Sequence, residues 1–200
     1  ATECGTAYSP AAVTELTAIG RQHGLVSHMD GARFGNAVAA LNASPAEVTW
    51  KAGIDILSFG GTKNGCMAAE AIVVFEPGRF PNLTAIRQRA GHTASKARFI
   101  AAQFEGYLEG GNWLATARHA NLMAARLTDG LLQKGKLAWD SQANEVFPLL
   151  SPAQIAGLRE AGAQFYEWPF ESGTPDEVCV RLVTSFATTA EDVDRFLSRL

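Results

Sequence analysis

Apolar positions alternate between helical and strand spacing along this chain. Behind Ser9-Pro10, an N-cap followed by a first helical position, Val13, Leu16 and Ile19 recur at helical spacing until Gly20 or Gly24. Leu25-Val26-Ser27-His28-Met29-Asp30 then reads as a short strand, and Gly31-Ala32-Arg33 turns into a helix over residues 34–41. Ser44-Pro45 with Glu47 has the pattern of a capping box and predicts a helix through Trp50. Ile54 to Phe59 and Ala69 to Phe75 read as strands, the second stopped by Pro77-Gly78. From Leu83 to Gln133 the pattern is mostly helical, with a break at Gly110-Gly111 and Asn112 as a cap. Strands follow at 145–150, 164–168 and 178–184, with a helix at 151–161 and a last helix capped by Thr188 or Thr189. Strands alternating with helices predict an α/β fold. The expected division is the tail of a large α/β domain over 1–107 and a small α/β domain over 108–200.

Composition narrows the classes. The chain has 200 residues, 47% apolar, enough to bury a core. A net charge of −3 without a basic stripe argues against nucleic acid as a partner. Its apolar runs are far shorter than a bilayer span, which argues against a membrane protein. Cys4, Cys66 and Cys179 are widely spaced and form no C-x-x-C pair, so neither a zinc site nor a disulfide framework is expected. The histidines show no metal-ligand spacing. A reducing, cytoplasmic setting fits this cysteine usage. The opening Ala1-Thr2-Glu3-Cys4-Gly5-Thr6 lacks a Met and reads like a strand end entering a loop, so the expectation is that an N-terminal portion precedes it.

Four residues stand out chemically. Lys63 lies just past an apolar strand, in the glycine-rich Gly60-Gly61-Thr62-Lys63-Asn64-Gly65. Ligands bind at strand ends in α/β sheets, and glycine lets backbone approach a bulky ligand. A desolvated lysine there can form a Schiff base with an aldehyde cofactor; a solvated loop lysine is the plain alternative. Asp30 ends the other strand and is suited to keeping a pyridine nitrogen protonated, or simply to capping a helix. Arg33 would point to the same mouth, unless it is a surface arginine. Arg181 sits among Val180, Leu182 and Val183 and is expensive to bury without an anion; a carboxylate is its natural partner. Facing water on an edge strand is its alternative. His28 shares a strand face with Asp30 and could hold it, or be a core histidine. The stripe around Leu122, Ala125, Arg126 and Leu127 reads as core or interface.

These segments resemble one family. His28-Met29-Asp30-Gly31-Ala32-Arg33-Phe34-Gly35-Asn36-Ala37 is similar to the pyridine-binding segment of low-specificity threonine aldolases, and Asp55 through Gly65 to their Schiff-base lysine loop. Arg89-Ala90-Gly91-His92 and Ser95-Lys96-Ala97-Arg98-Phe99 resemble the subgroup that includes phenylserine aldolases, and Arg181-Leu182-Val183-Thr184 resembles the strand that holds the substrate carboxylate. The resemblance covers nearly the whole chain. It implies the C-terminal part of a fold-type I large domain, followed by a small domain, in an enzyme dependent on pyridoxal 5′-phosphate (PLP). Lys63 would bind the cofactor covalently, Asp30 would pair with its ring nitrogen, Arg33 would lie near its phenolic oxygen and the substrate carboxylate, and Arg181 would bind that carboxylate. His92 and Lys96 would face a neighbouring subunit of a dimer of dimers. The family's phosphate-binding loop, ring-stacking histidine and general base would lie upstream. The implied reaction is cleavage of a β-hydroxy-α-amino acid to glycine and an aldehyde, by a carbon–carbon lyase. A β-eliminating lyase on the same scaffold is the competing enzyme reading, and a non-catalytic piece unable to hold PLP the competing reading of another class.

Overall fold

Ser9 starts the first helix as its sequence requires. In the computed structural model, which describes residues 1–170, 174 and 176–200, the Ser9 hydroxyl accepts the Ala12 N–H and Pro10 occupies the first turn of α1 (Pro10–Gln22). The chain separates into two compact units, Tyr8–Ala115 and a second made of Ala1–Ala7 with Thr116–Leu200.

The unit Tyr8–Ala115 is built on a three-stranded sheet ordered β1 (His28–Gly31), β2 (Ile56–Gly60), β3 (Glu70–Val74). β1 and β2 run parallel, with Asp30 beside Ser58 and Gly31 beside Phe59; β3 returns antiparallel. Met29, Leu57, Phe59, Ala71 and Val73 turn to one face, against α2 (Phe34–Leu41) and a cluster that includes Tyr107 and Trp113. Phe34 and Trp113 stack, and Phe59 meets both edge-on. α3 (Leu83–Arg89) and α4 (Ala97–Leu108) complete this unit, and α5 (Asn112–Leu132) begins in it.

The second unit carries an antiparallel sheet of β4 (Lys136–Leu137), β5 (Glu145–Val146), β6 (Pro148–Leu150), β7 (Tyr166–Glu167) and β8 (Val178–Val183). β5 and β6 pair with β8 in a single register interrupted at Phe147, and β7 also pairs with β8. α5, α6 (Pro152–Glu160) and α7 (Ala190–Leu197) pack a core of Leu127, Leu131, Val146, Leu158, Val180 and Val193. Ser151 with Gln154, and Thr189 with Asp192, form full capping boxes that start α6 and α7. Residues 1–7 join this unit through the Gly5 carbonyl, which accepts from Gln142 and Ala143, and the Cys4 carbonyl, which accepts from Trp139 Nε1 at 2.7 Å.

Several expectations are corrected by packing. α1 buries Val13 and Thr17, while Leu16 and Ile19 are 54% and 55% exposed. Thr17 is drawn inward by its hydroxyl, which donates to the Ala52 carbonyl at 2.6 Å. Ser44 and Glu47 do form reciprocal capping bonds, yet turns and a single 3-10 turn at Trp50–Ala52 follow rather than an α-helix. Gly53, at φ 95°, ends that turn before a second helical turn can add. Asn112 is the first residue of α5 itself, its amide donating to the Gly106 carbonyl. On α5 the buried line runs through Ala117, Ala120, Ala124, Leu127 and Leu131, leaving Leu122 exposed. The strand expected at 145–150 is split at Phe147.

Candidate active site

β2 ends where its glycines begin. Gly60 lies so close to β1 that a Cβ there would stand 2.7 Å from the Ala32 carbonyl oxygen, so the two parallel strand ends are drawn together only because no side chain intervenes. The chain then makes one 3-10 turn, Thr62–Asn64, closed by the Asn64 and Cys66 N–H groups on the Gly61 carbonyl at 3.0 and 3.1 Å. Gly65 leaves it at φ 118°, a conformation that side chains rarely adopt. Lys63 stands in the middle of this turn, exposed, and its amine makes no hydrogen bond or ion pair to any described residue. The Thr62 hydroxyl accepts the Ala69 N–H at 3.0 Å and so ties the loop to its return strand. Burial, with Glu70 second, pushes the nearby Cys66 thiol up, which keeps it protonated at neutral pH.

Asp30 is carried to the same end of the sheet by the neighbouring parallel strand. Its Oδ1 accepts the Ala32 N–H at 2.9 Å, which fixes the carboxylate, and it makes no other hydrogen bond among the described residues. It is exposed on the face opposite the Met29 and Leu57 core. Arg33 follows as the N-cap residue of α2, half-buried, its carbonyl accepting the Ala37 N–H. His28 does not hold Asp30: its Nε2 is bonded to Ser58 Oγ at 2.8 Å, across the β1–β2 pair. The structure thus brings Asp30, Arg33 and Lys63 to the ends of adjacent parallel strands. A cleft of about 270 Å³ lined by Arg21, Trp50, Ile54, Asp55, Phe75 and Glu76 lies at the other end of β2, where Asp55 is paired with Arg79 and accepts the Ser27 N–H.

Arg181 sits in the second unit, on β8. The anion that its sequence context demands is Glu145 on β5, which is fully buried; Arg181 Nε and Nη2 both donate to Glu145 Oε1, the first at 2.8 Å. The guanidinium also lies over the Trp168 ring, 5.3 Å from its centroid. Arg181 is 20% exposed and β8 is paired on both sides, so it is not an edge-strand arginine facing water. Its Nη1 donates to no described residue. His92 and Lys96 are exposed in the connection between α3 and α4. No group of three or more His, Cys, Asp or Glu among the described residues could hold a metal ion, and no helix among them is long and apolar enough to cross a membrane.

Four residues escape a reading of the sequence. Glu145 opens the apolar run Glu145-Val146-Phe147-Pro148-Leu149-Leu150, and an acid in such a run is itself a sign of a buried partner. Ser58 could have been found as the inter-strand neighbour of Asp30 once β1 and β2 were aligned. Asn64 and Tyr107, which hydrogen-bond each other at 2.7 Å in the core, leave no signal by periodicity.

Comparison with known proteins converges on one family. The family model described as Beta-eliminating lyase matches residues 1–150. The chain is 42% identical over 195 residues to a low specificity L-threonine aldolase of Pseudomonas aeruginosa, covering 96% of this chain and 55% of that protein. It is 44% identical over 168 residues to the low specificity L-threonine aldolase of another Pseudomonas strain, covering 83% of this chain and 49% of that one. It spans about half the length of these curated relatives. Among solved structures it superposes on Leishmania major threonine aldolase with a TM-score of 0.89 and 29% identity, over 98% of this chain and 57% of that one. The fold expected from the sequence, that of the fold-type I PLP enzymes, is the fold found. A family-model match over residues 1–150, with 42% identity to a curated threonine aldolase, establishes that this chain belongs to the beta-eliminating lyase family.

Proposed function

We propose that the protein to which this chain belongs is a PLP-dependent carbon–carbon lyase that cleaves β-hydroxy-α-amino acids of the threonine or phenylserine type to glycine and an aldehyde. The observation that carries this reading is the placement of Lys63 and Asp30 at the ends of adjacent parallel strands, each with bonding capacity that no described residue takes up. The donor set fits the cofactor. A primary amine on a glycine-rich turn suits an aldehyde, and a carboxylate oriented by one backbone N–H has a second oxygen for a ring N–H.

Lys63 would hold the cofactor covalently and give way to the substrate amine. Asp30 would hold a proton on the ring nitrogen. PLP, when bound, supplies the electron sink for the pair released by the breaking Cα–Cβ bond. Arg33 and Arg181 would bind the substrate carboxylate and so set which bond at Cα is aligned for cleavage. For Arg181 the support is its similarity in sequence to the carboxylate-binding strand, together with the Nη1 edge that Glu145 leaves over. The base that takes the β-hydroxyl proton would lie upstream of these residues. A division near residue 108 into cofactor and closing domains, a dimer of dimers with His92 and Lys96 near the neighbouring subunit, and a cytoplasmic location belong to the same reading.

The test is product analysis of the full-length protein with threonine and with phenylserine. Glycine and an aldehyde in equal amounts are expected. A 2-oxo acid with ammonia would instead mean β-elimination on the same residues.

A further inference from the structure

Lys63 is flanked on both sides by bonds to a single phenol. The Tyr107 hydroxyl, on α4, donates to the carbonyl of Gly60, the last residue of β2, at 3.2 Å. It accepts from Nδ2 of Asn64, the residue after the lysine, at 2.7 Å. Asn64 Nδ2 also donates to the Trp113 carbonyl at 2.7 Å. Asn64 is 3% exposed, and Tyr107 and Trp113 are buried with it. The phenol is itself held in an aromatic cage, its ring centroid 5.8 Å from Phe59, 6.1 Å from Phe104 and 6.5 Å from Trp113. Burial pushes its pKa up, so it stays a hydrogen-bond donor across the neutral range.

A single 3-10 turn has poor hydrogen-bond geometry and little stability of its own. The lysine side chain beyond it has several free rotors. What the fold can fix is the position of the Lys63 backbone and the direction of its Cα–Cβ bond. A buried network in which the phenol both donates and accepts, and the amide nitrogen donates twice, does this well, because breaking one of these bonds strands a buried group.

We propose that Tyr107 and Asn64 are positioning residues for Lys63, tying the end of β2 to the residue after the lysine so that the amine is presented in one orientation. The inference rests on the proposed role of Lys63 as the cofactor lysine. It assigns no contact with substrate to either residue.

The experiment uses the full-length holoenzyme. Borohydride reduction and peptide mapping of the unsubstituted protein come first: PLP on a lysine other than Lys63 would overturn the cofactor-lysine reading, and this inference with it. With Lys63 labelled, the PLP dissociation constant, the pH titration of the bound cofactor's visible absorbance, kcat and KM are measured for Tyr107→Phe and Asn64→Ser. Phe104→Leu, which loosens the same cage without touching the turn, is the control. Tyr107→Phe keeps the ring and should fold. Both positioning variants should weaken PLP binding by about tenfold to a hundredfold, the range expected of a displaced reactive group, and should move the titration midpoint and lower kcat with KM little changed. Phe104→Leu should lower the melting temperature and leave the titration in place. An unchanged titration and PLP affinity in Tyr107→Phe, or an equal change in Phe104→Leu, would overturn the inference even with Lys63 confirmed.

Discussion

Two charged clusters in this chain are built in opposite ways. At the ends of β1 and β2, Lys63 and Asp30 are exposed, held by backbone geometry, and spend almost none of their bonding capacity on the protein. On β8 and β5, Arg181 and Glu145 are withdrawn from water and spend theirs on each other. Removing one member of a buried pair strands a charge, while removing an exposed group with free valence costs the fold little. The first cluster is therefore available to a ligand as it stands. The second is a structural pair first, and any role in binding falls to the part of the guanidinium that Glu145 does not occupy.

Substitutions can break this comparison or sharpen it. The largest effect is expected from Lys63→Ala, which should abolish the visible absorbance of bound cofactor and reduce turnover on the order of 10³-fold or more, as removal of a covalent catalyst does. Thermal unfolding of the apoprotein should barely change; a large loss of stability would place Lys63 with the structural cluster. Asp30→Asn should keep the fold and lower kcat by roughly 10²–10³-fold, the scale of losing one preorganised electrostatic contact. A near-normal kcat would reduce Asp30 to a turn residue that accepts the Ala32 N–H.

Glu145→Gln should act in the opposite sense, costing about 3 kcal/mol of stability in a denaturant titration by leaving Arg181 without its counter-charge. PLP affinity should stay close to that of the parent. Arg181→Lys separates the two roles of its residue, because an ammonium keeps the charge and loses the fork. If Nη1 serves the substrate, KM for the amino acid should rise about tenfold to a hundredfold with cofactor binding intact. A stability loss with unchanged KM would leave Arg181 wholly structural. The smallest effect is expected from Ser151→Ala, which removes the α6 cap, a hydroxyl bonded to Gln154: about 1 kcal/mol of stability and no change in KM.

How far the sequence was legible follows the same division. α2 lies at residues 34–41 as expected, because Gly31-Ala32-Arg33 turns the chain out of β1 and Asn42, at φ 49°, closes a short apolar helix. The cap at Ser9, and the last cap narrowed to Thr188 or Thr189, are local hydrogen bonds with local signatures, so they could be read directly. The placement of Asp30 and Lys63 at strand ends was legible because strand ends and glycine turns are also local. What escaped is what tertiary structure decides. Leu16 and Ile19 have the right period and still face outward, since Thr17 finds the Ala52 carbonyl, 35 positions on. Leu25 and Val26 read as strand but precede β1 and stay exposed. β4 is two residues long and exists only through its pairing with β6. The anion for Arg181 could be expected on energetic grounds, but not that Glu145 supplies it. That pairing spans 36 positions of sequence, with no periodic signal to mark it.

The proposed chemistry turns on Lys63 as the cofactor lysine. Incubation of the full-length protein with PLP, borohydride reduction and peptide mass mapping test it most directly, since the chain has other lysines at positions 51, 96, 134 and 136. A single reduced PLP adduct is expected on the peptide containing Gly61-Thr62-Lys63-Asn64, lost in Lys63→Ala. An adduct on Lys51, Lys96, Lys134 or Lys136 in place of Lys63, or no adduct at all, would contradict it.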